Sequence, residues 1–146
     1  MRIGIIGAGQ LGQMLALAGY PLAQRFLFLD SNADSPGGQV GPMITGAFDD
    51  PASLERLAAE TDLVTYEFEN VPVAALAAVA RSRPCHPPVE ALRVSQDRLL
   101  EKELFGRLGI PTPAFRAVDS LADLRAAVAA IGLPCVLKTR RLGYDG

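Results

Sequence analysis

Short apolar runs alternate with segments of helical periodicity through the first half of the chain. The first run, at residues 3–6, leads into a glycine-rich turn, after which Leu11, Leu15 and Ala18 recur at helical spacing. Four further elements are predicted in the same way: a strand at 26–29, a helix at 51–60, a strand at 63–66 and a helix from Pro72 to about residue 81. Strands that alternate with helices predict a parallel sheet.

Prolines at positions 84, 87 and 88 interrupt the chain before its character changes, and we predict a domain boundary near residues 88–94. The expected fold class is α/β, with a Rossmann-like parallel-sheet domain at residues 1–90 and the truncated beginning of a second domain at residues 91–146. The elements predicted in the second region are a helix capped by Ser95 and ending near Leu108, an extended piece at 114–118, a helix capped by Ser120 and a strand at 135–137. The inward face expected for the Ser120 helix consists of Leu121, Leu124, Ala127, Val128 and Ile131.

Composition narrows the function classes without choosing one. The 146 residues are 49% hydrophobic and 21% charged with a formal net charge of -2, which predicts a packed core and argues against a surface that coats nucleic acid. The apolar runs are much shorter than the roughly 20 residues that cross a bilayer, and no cleavable leader is visible, so we expect a cytoplasmic location. Cys85, His86 and Cys135 lack metal-ligand spacing, and both thiols are expected to be buried.

Gly7, Gly9 and Gly12 form a G-x-G-x-x-G pattern directly after the first predicted strand. With Asp30 at the end of the second strand, the pattern on its own predicts a dinucleotide site. The same turn offers N–H groups and a helix N-terminus to any phosphate, including a sugar monophosphate, and Asp30 has the alternative role of capping a strand end. Gln10, within the turn, either hydrogen-bonds a ligand hydroxyl or is simply exposed.

Two acidic residues, Glu67 and Glu69, follow the strand predicted at residues 63–66. They lie at the carboxyl edge, where open α/β sheets bind ligands, and strand alternation would place them on one face. Such a pair binds ribose hydroxyls or an amine, or else forms a solvated edge, and the residues alone leave both interpretations open.

Two cations occupy positions that favour an anionic ligand. Arg98 lies in the first turn of a predicted helix, where the helix dipole disfavours positive charge, and Lys138 ends a predicted strand before a glycine-containing loop. Both side chains could meet a polyphosphate. The alternatives are an exposed Arg98 paired with Glu101, and a basic strand end followed by an ordinary turn.

In this order, the segments resemble the N-terminal part of the N5-carboxyaminoimidazole ribonucleotide synthetase family, ATP-grasp ligases of purine biosynthesis. The resemblance covers essentially the whole chain. The motifs that carry it are GQLG at residues 9–12, YEFENVP at 66–72, QDRL at 96–99, Lys102, GIPT at 109–112 and LKTRRLGYDG at 137–146. The resemblance implies a pre-ATP-grasp domain followed by the start of an ATP-grasp domain.

The resemblance also implies roles for individual residues. Arg98 and Lys138 would contact the phosphates of ATP. The residues implied to bind aminoimidazole ribonucleotide are Gln10 and Leu11, Glu67 on its ribose, and Tyr144 and Asp145 near its base.

In the implied reaction, ATP phosphorylates bicarbonate to carboxyphosphate, and the carboxyl group passes through carbon dioxide to the exocyclic amine of aminoimidazole ribonucleotide, with release of ADP and phosphate. Mg²⁺ is the implied metal, and its ligands and the catalytic residues are expected downstream, with none in this chain. The chain alone is therefore expected to be inactive. No nucleic-acid or membrane partner is implied, and because family members are commonly dimeric, a homodimer is one assembly to test.

Three alternative functions are weighed against this one. A sister ATP-grasp enzyme, such as the formate-dependent glycinamide ribonucleotide transformylase, would share Arg98 and Lys138 but not the loop sequence at residues 140–146. An NAD(P)-dependent oxidoreductase would explain residues 7–12 and Asp30 but not the second region. A non-catalytic nucleotide-binding module would bind ATP without substrate-dependent hydrolysis.

Overall fold

The computed structural model describes residues 1–143, which fall into two compact units. The first unit is Met1–Arg93, and the second begins at Val94. The first unit contains the sheet and both hydrophobic clusters, so most of the core of the described chain lies there.

Four parallel strands form the sheet of the first unit. They are β1 (Arg2–Ile6), β2 (Arg25–Asp30), β3 (Met43–Thr45) and β4 (Leu63–Tyr66), in the order β3-β2-β1-β4. The central strand β1 pairs Ile6 with Leu29 on one side and with Tyr66 on the other. The predicted parallel sheet is confirmed. Strand β3 was not predicted, because three residues are too short to give a sequence pattern and only their pairing to β2 makes them a strand.

Six α-helices accompany the strands in the described residues. They are α1 (Gln10–Gly19), α2 (Pro51–Glu60), α3 (Val73–Val79), α4 (Val89–Ser95), α5 (Arg98–Arg107) and α6 (Leu121–Ile131). Short 3₁₀ turns occur at Tyr20–Leu22 and Pro36–Gln39. Within residues 1–143, no helix has both the length and the apolar character that crossing a bilayer requires.

Each face of the sheet packs on different helices. Ile5 and Phe28 belong to a buried cluster with Ala16 of α1, whereas Ile6 and Leu29 belong to a second cluster. That second cluster also contains the apolar residues of α2 and α3, including Leu54, Leu57, Leu76 and Val79. Alternate residues of a strand point to opposite faces, so adjacent isoleucines of β1 serve two separate layers. The first unit is therefore a three-layer α/β structure.

The start of the second region differs from the prediction. Ser95 was predicted to cap a helix, but it is the last residue of α4, a helix that the sequence reading missed. Asp97 caps α5 instead, and its Oδ1 accepts the N–H groups of Leu99 at 2.9 Å and Leu100 at 3.3 Å. Serine and aspartate are both favoured N-cap residues, and α4 exists because its Leu92 is fully buried in the first unit's core.

The predicted strand at residues 135–137 is absent from the described structure, and so is a strand at 114–118. Val136 and Leu137 are exposed, at 80% and 64% of their full area. A strand is defined by pairing to a neighbour, and the described residues supply none here.

Helix α6 keeps its predicted caps but not its predicted burial. The Ser120 hydroxyl accepts the Asp123 N–H at 3.1 Å, as expected of an N-cap. Of the five residues predicted to face inward, Ala127 is buried, whereas Leu121 is 63% exposed. The periodicity of α6 was read correctly, but no described element covers most of the apolar face that it creates.

The two cysteines have different environments. Cys85 is buried, and this burial raises the pKa of its thiol, which keeps it protonated and unreactive. Cys135 is exposed, so the expectation that both thiols are buried is wrong for this residue. It lies in the same uncovered segment as Val136.

The core of the first unit makes a prediction about stability. Leu57 is fully buried between α2 and the sheet, so we expect Leu57→Ala to lower the free energy of unfolding by about 2–5 kcal/mol. Urea unfolding followed by circular dichroism at 222 nm measures this change. Leu22→Ala is the control, because Leu22 is 71% exposed and should change the value by less than about 0.5 kcal/mol. Equal effects of the two substitutions would contradict the assigned core.

Candidate functional site

Three strand ends meet at one edge of the sheet in the first unit. Strand β1 ends at Ile6 before the glycine loop, which we define as residues 7–12, while β2 ends at Asp30 and β4 ends immediately before Glu67. Because β1 lies between β2 and β4, its glycine loop lies between the two carboxylates. This is the carboxyl edge, where open α/β sheets bind ligands.

The glycine loop needs glycine at more than one position. Gly7 has φ +98°, in the region that side chains rarely adopt, and its N–H donates to Leu29 O at 2.8 Å. A Cβ on Gly12 would lie 3.2 Å from Gly7 O and 3.5 Å from Phe28 Cε1, so this glycine allows α1 to approach the sheet closely. Gly7 therefore permits the tight turn and Gly12 the close helix–strand packing that the motif requires.

Protein carboxylates already bind two N–H groups of the glycine loop. Asp30 Oδ2 accepts the Ala8 N–H at 2.7 Å, and Glu67 Oε1 accepts the Gly9 N–H at 2.9 Å. The other Asp30 oxygen accepts the Asn32 N–H at 3.0 Å, and the residue is only 9% exposed. Asp30 therefore acts as a backbone anchor, which favours the capping interpretation over a ribose-binding one.

Gln10 and Leu11 occupy the first turn of α1, directly after Gly9. Both are exposed, and Leu11 keeps 64% of its full area. The structure thus places them beside the Gly9–Glu67 contact, on the solvent side of the loop.

A neighbouring segment that the sequence reading did not connect to this site supports the loop. The Gly37 N–H donates to Ala8 O at 2.7 Å, and Gln13 Nε2 donates to Pro36 O at 3.0 Å. A Cβ on Gly37 would lie 3.0 Å from the Cβ of Ala8, so the glycine permits this close packing. The proline and glycines at residues 36–38 were the available sequence signal, but they do not reveal which segment they contact.

Glu67 and Glu69 do not act as an alternating strand pair. Strand β4 ends at Tyr66, and residues 67–70 turn, so the alternation argument does not apply beyond the strand. Glu67 contacts the glycine loop, whereas Glu69 is exposed in the turn. Only the first carboxylate of the predicted pair belongs to the site.

In the second unit, Arg98 binds the chain that follows Lys138. Its Nη1 and Nη2 donate to Thr139 O and Gly143 O, each at 3.1 Å, and its backbone N–H donates to Arg140 O at 2.9 Å. A Cβ on Gly143 would overlap the Arg98 guanidinium. Arg98 therefore fixes the loop at residues 139–143, rather than pairing with Glu101 as the alternative interpretation required.

Lys138 shares a cleft with Arg98 in the second unit. The cleft has a volume of about 730 Å³, and its lining also includes Lys102 and Phe115. Lys102 makes a cation–π contact with the Phe115 ring, with its Nζ 5.4 Å from the ring centroid. Within residues 1–143, the exposed Lys138 ammonium has no hydrogen-bond or ion-pair partner, so it remains available to an anion.

Arg140 and Arg141, on the same loop, are paired within the unit. Arg140 Nη2 lies 2.6 Å from Asp119 Oδ1, and Arg141 donates to the side chain of Gln96. These contacts hold the two guanidinium groups in place, and Lys138 differs from both in having no such contact among the described residues.

Two predicted site residues, Tyr144 and Asp145, lie outside the described residues. Within the described part of the chain, no three His, Cys, Asp or Glu side chains cluster in a way that could hold a metal ion.

Two family models match this chain. The family model described as the ribonucleotide synthetase preATP-grasp domain matches residues 1–96, and the ATP-grasp domain model matches residues 103–146. The N5-carboxyaminoimidazole ribonucleotide synthase of Pseudomonas aeruginosa is 54% identical over all 146 residues, which are 41% of its own length. The chain thus spans about two fifths of the curated relatives it matches.

Solved structures give the same result. The N5-carboxyaminoimidazole ribonucleotide synthetase from Thermus thermophilus matches with a TM-score of 0.93 and 53% identity, over 95% of this chain and 39% of that one. The synthase from Aspergillus clavatus, solved with ADP and 5-aminoimidazole ribonucleotide, matches with a TM-score of 0.82 and 31% identity, over 91% of this chain and 36% of that one. With a family model that matches about two thirds of its length, the chain belongs to the ribonucleotide synthetase preATP-grasp domain family.

Proposed function

We propose that this chain is the N-terminal part of an ATP-grasp ligase that carboxylates 5-aminoimidazole ribonucleotide. The products would be N5-carboxyaminoimidazole ribonucleotide, ADP and phosphate, with bicarbonate as the carboxyl source. The observation that carries the proposal is the 54% identity across both units to a synthase of that name. A relative was solved in complex with ADP and 5-aminoimidazole ribonucleotide, and this supports both molecules as ligands in the proposal.

In this proposal, the ribonucleotide binds at the carboxyl edge of the sheet in the first unit. Glu67 Oε1 is held by the Gly9 N–H, so its second oxygen, Oε2, is oriented and can accept a hydrogen bond from a ribose hydroxyl. Gln10 and Leu11 are exposed beside it and would contact the same ligand. Tyr144 and Asp145 are proposed to lie near the base.

Arg98 and Lys138 are proposed to contact the phosphates of ATP. The exposed Lys138 can act as a point charge. The guanidinium of Arg98 carries five N–H donors, and its two bonds to loop carbonyls leave others for a phosphate oxygen. Arg98 would therefore position the loop and bind phosphate at the same time.

The proposed reaction has three steps. A bicarbonate oxygen attacks the γ-phosphorus of ATP, and the bond from that phosphorus to the ADP oxygen breaks to give carboxyphosphate. The bond between the carboxyl carbon and the phosphate oxygen of carboxyphosphate then breaks to give phosphate and carbon dioxide. The exocyclic amine of the ribonucleotide attacks the carbon dioxide and loses a proton to give the carboxylated product. Fixed cations aimed at the transferring phosphoryl group would stabilise the charge that develops on it.

The same proposal includes features of the whole enzyme. It assigns residues 1–90 to the pre-ATP-grasp domain and 91–146 to the beginning of the ATP-grasp domain. It also includes Mg²⁺ bound by residues outside this chain, a cytoplasmic location and a homodimer as one assembly to test. Size-exclusion chromatography with light scattering measures that assembly directly.

The experiment that tests the function measures phosphate release from ATP. It uses a polypeptide that carries this sequence and extends to the length of the relatives. Release should require both bicarbonate and 5-aminoimidazole ribonucleotide, and the 146-residue chain alone should give none. Release in the absence of the ribonucleotide, or none under any condition from the folded long polypeptide, would overturn the proposal.

Lys138→Ala in the extended polypeptide should lower kcat by about 10²-fold with little change in KM for the ribonucleotide. A phosphate contact that strengthens as charge develops on the γ-phosphate lowers the barrier more than it tightens the other substrate. Steady-state phosphate release measures both constants. Arg125→Ala removes an exposed cation from α6 and is the matched control. An unchanged kcat for Lys138→Ala would refute its role.

Arg98→Ala should loosen the loop at residues 139–143 in the 146-residue chain. The substitution removes two guanidinium bonds to loop carbonyls, so trypsin should cut after Arg140 and Arg141 about 5-fold faster, the factor for about 1 kcal/mol of lost hydrogen bonding. Mass spectrometry of timed digests measures cleavage at each site. Arg116→Ala is the control, because among the described residues that side chain bonds to the adjacent Phe115 carbonyl and not to the loop. Equal cleavage rates in both variants would show that Arg98 does not restrain the loop.

A further inference from the structure

The glycine loop has the spacing of a dinucleotide site, yet its geometry explains the glycines differently. In dinucleotide-binding folds the glycines of this pattern let the backbone approach a pyrophosphate. In this chain, the group that approaches the backbone is the side chain of Glu67.

Two of the three glycines make room for that side chain. A Cβ on Gly7 would lie 2.8 Å from Glu67 Cγ and 2.9 Å from its Oε1, and a Cβ on Gly9 would lie 2.8 Å from the same oxygen. Separations under 3.0 Å are closer than real Cβ atoms come, so a side chain at either position would displace Glu67. The glycines and the carboxylate therefore form one packed arrangement.

The carboxylates also occupy two of the N–H groups that the loop would offer to a phosphate. Glu67 takes the Gly9 N–H at 2.9 Å and Asp30 takes the Ala8 N–H at 2.7 Å. Both carboxylates lie near the N-terminal end of α1, where the helix dipole favours negative charge. An incoming pyrophosphate would meet two like charges and bound amides.

We infer that Glu67 is a specificity-determining residue whose carboxylate closes the glycine loop to phosphate groups, so that this Rossmann-like unit rejects dinucleotides. The closed loop offers a ligand Glu67 Oε2, an acceptor suited to a hydroxyl or an amine. The inference depends on the loop geometry alone and stands or falls separately from the proposed ligation reaction.

The test compares binding of ADP-ribose and of inorganic pyrophosphate to the ¹⁵N-labelled 146-residue chain. Amide chemical shifts of Gly7, Gly9 and Gly12 report on the loop itself, so binding in the Arg98 cleft is distinguished from binding here. The variants are Glu67→Ala, which empties the space, and Glu67→Gln, which keeps the volume and removes the charge. Glu69→Ala is the matched control, because it removes an exposed carboxylate two residues away.

We expect no shift of the loop amides in the parent chain or in Glu69→Ala at millimolar ligand. Glu67→Ala should show saturable shifts of the loop amides, with an affinity at least tenfold higher than the parent's. Glu67→Gln should show a smaller gain in affinity, because it removes the charge but keeps a side chain in the same space. Dispersed spectra establish that each variant is folded, and Glu67→Gln keeps the test valid if Glu67→Ala is not. Loop shifts of equal size in the parent chain would overturn the inference. Folded Glu67 variants that still bind neither ligand at the loop would also overturn it.

Discussion

The position of β1 between β2 and β4 is the constraint on which the site in the first unit depends. Parallel pairing aligns Ile6 with both Leu29 and Tyr66, so the three strands end at nearly the same level of the sheet. Asp30 and Glu67 then flank the glycine loop without any long side chain having to reach across. Moving β4 by one residue along β1 would shift the start of the following turn by about 3.3 Å and remove the contact of Glu67 with Gly9.

The elements with strong local signals were predicted with the greatest accuracy. Helix α2 and strand β4 have the predicted bounds, because Asp50 and Pro51 mark a helix start and the apolar run after Glu60 marks a strand. The Asp50 side chain accepts the Ser53 N–H at 2.9 Å, so it caps α2, and this hydrogen bond lowers its pKa.

Features that depend on tertiary contacts were predicted less well. The apolar residues at 135–137 resemble a strand, but a strand needs a partner that no local pattern supplies. Ser95 and Asp97 are equally good caps in isolation, and the burial of Leu92 decides where α4 ends and α5 begins. At the site, the apolar run at residues 63–66 correctly predicted that Glu67 lies at the carboxyl edge of the sheet. Its bond to Gly9 joins residues 58 positions apart, and no sequence pattern specifies that contact.

Asp30 has a consequence for protein engineering. In dinucleotide-binding folds, the acid at the end of the second strand contacts the ribose, and exchanging it is a rational way to change the preference between NAD and NADP. Here both carboxylate oxygens of Asp30 bind backbone amides, and the side chain is almost fully covered. The same exchange would alter the scaffold rather than a ligand contact, so the glycine motif and its acid would misdirect cofactor redesign in this chain.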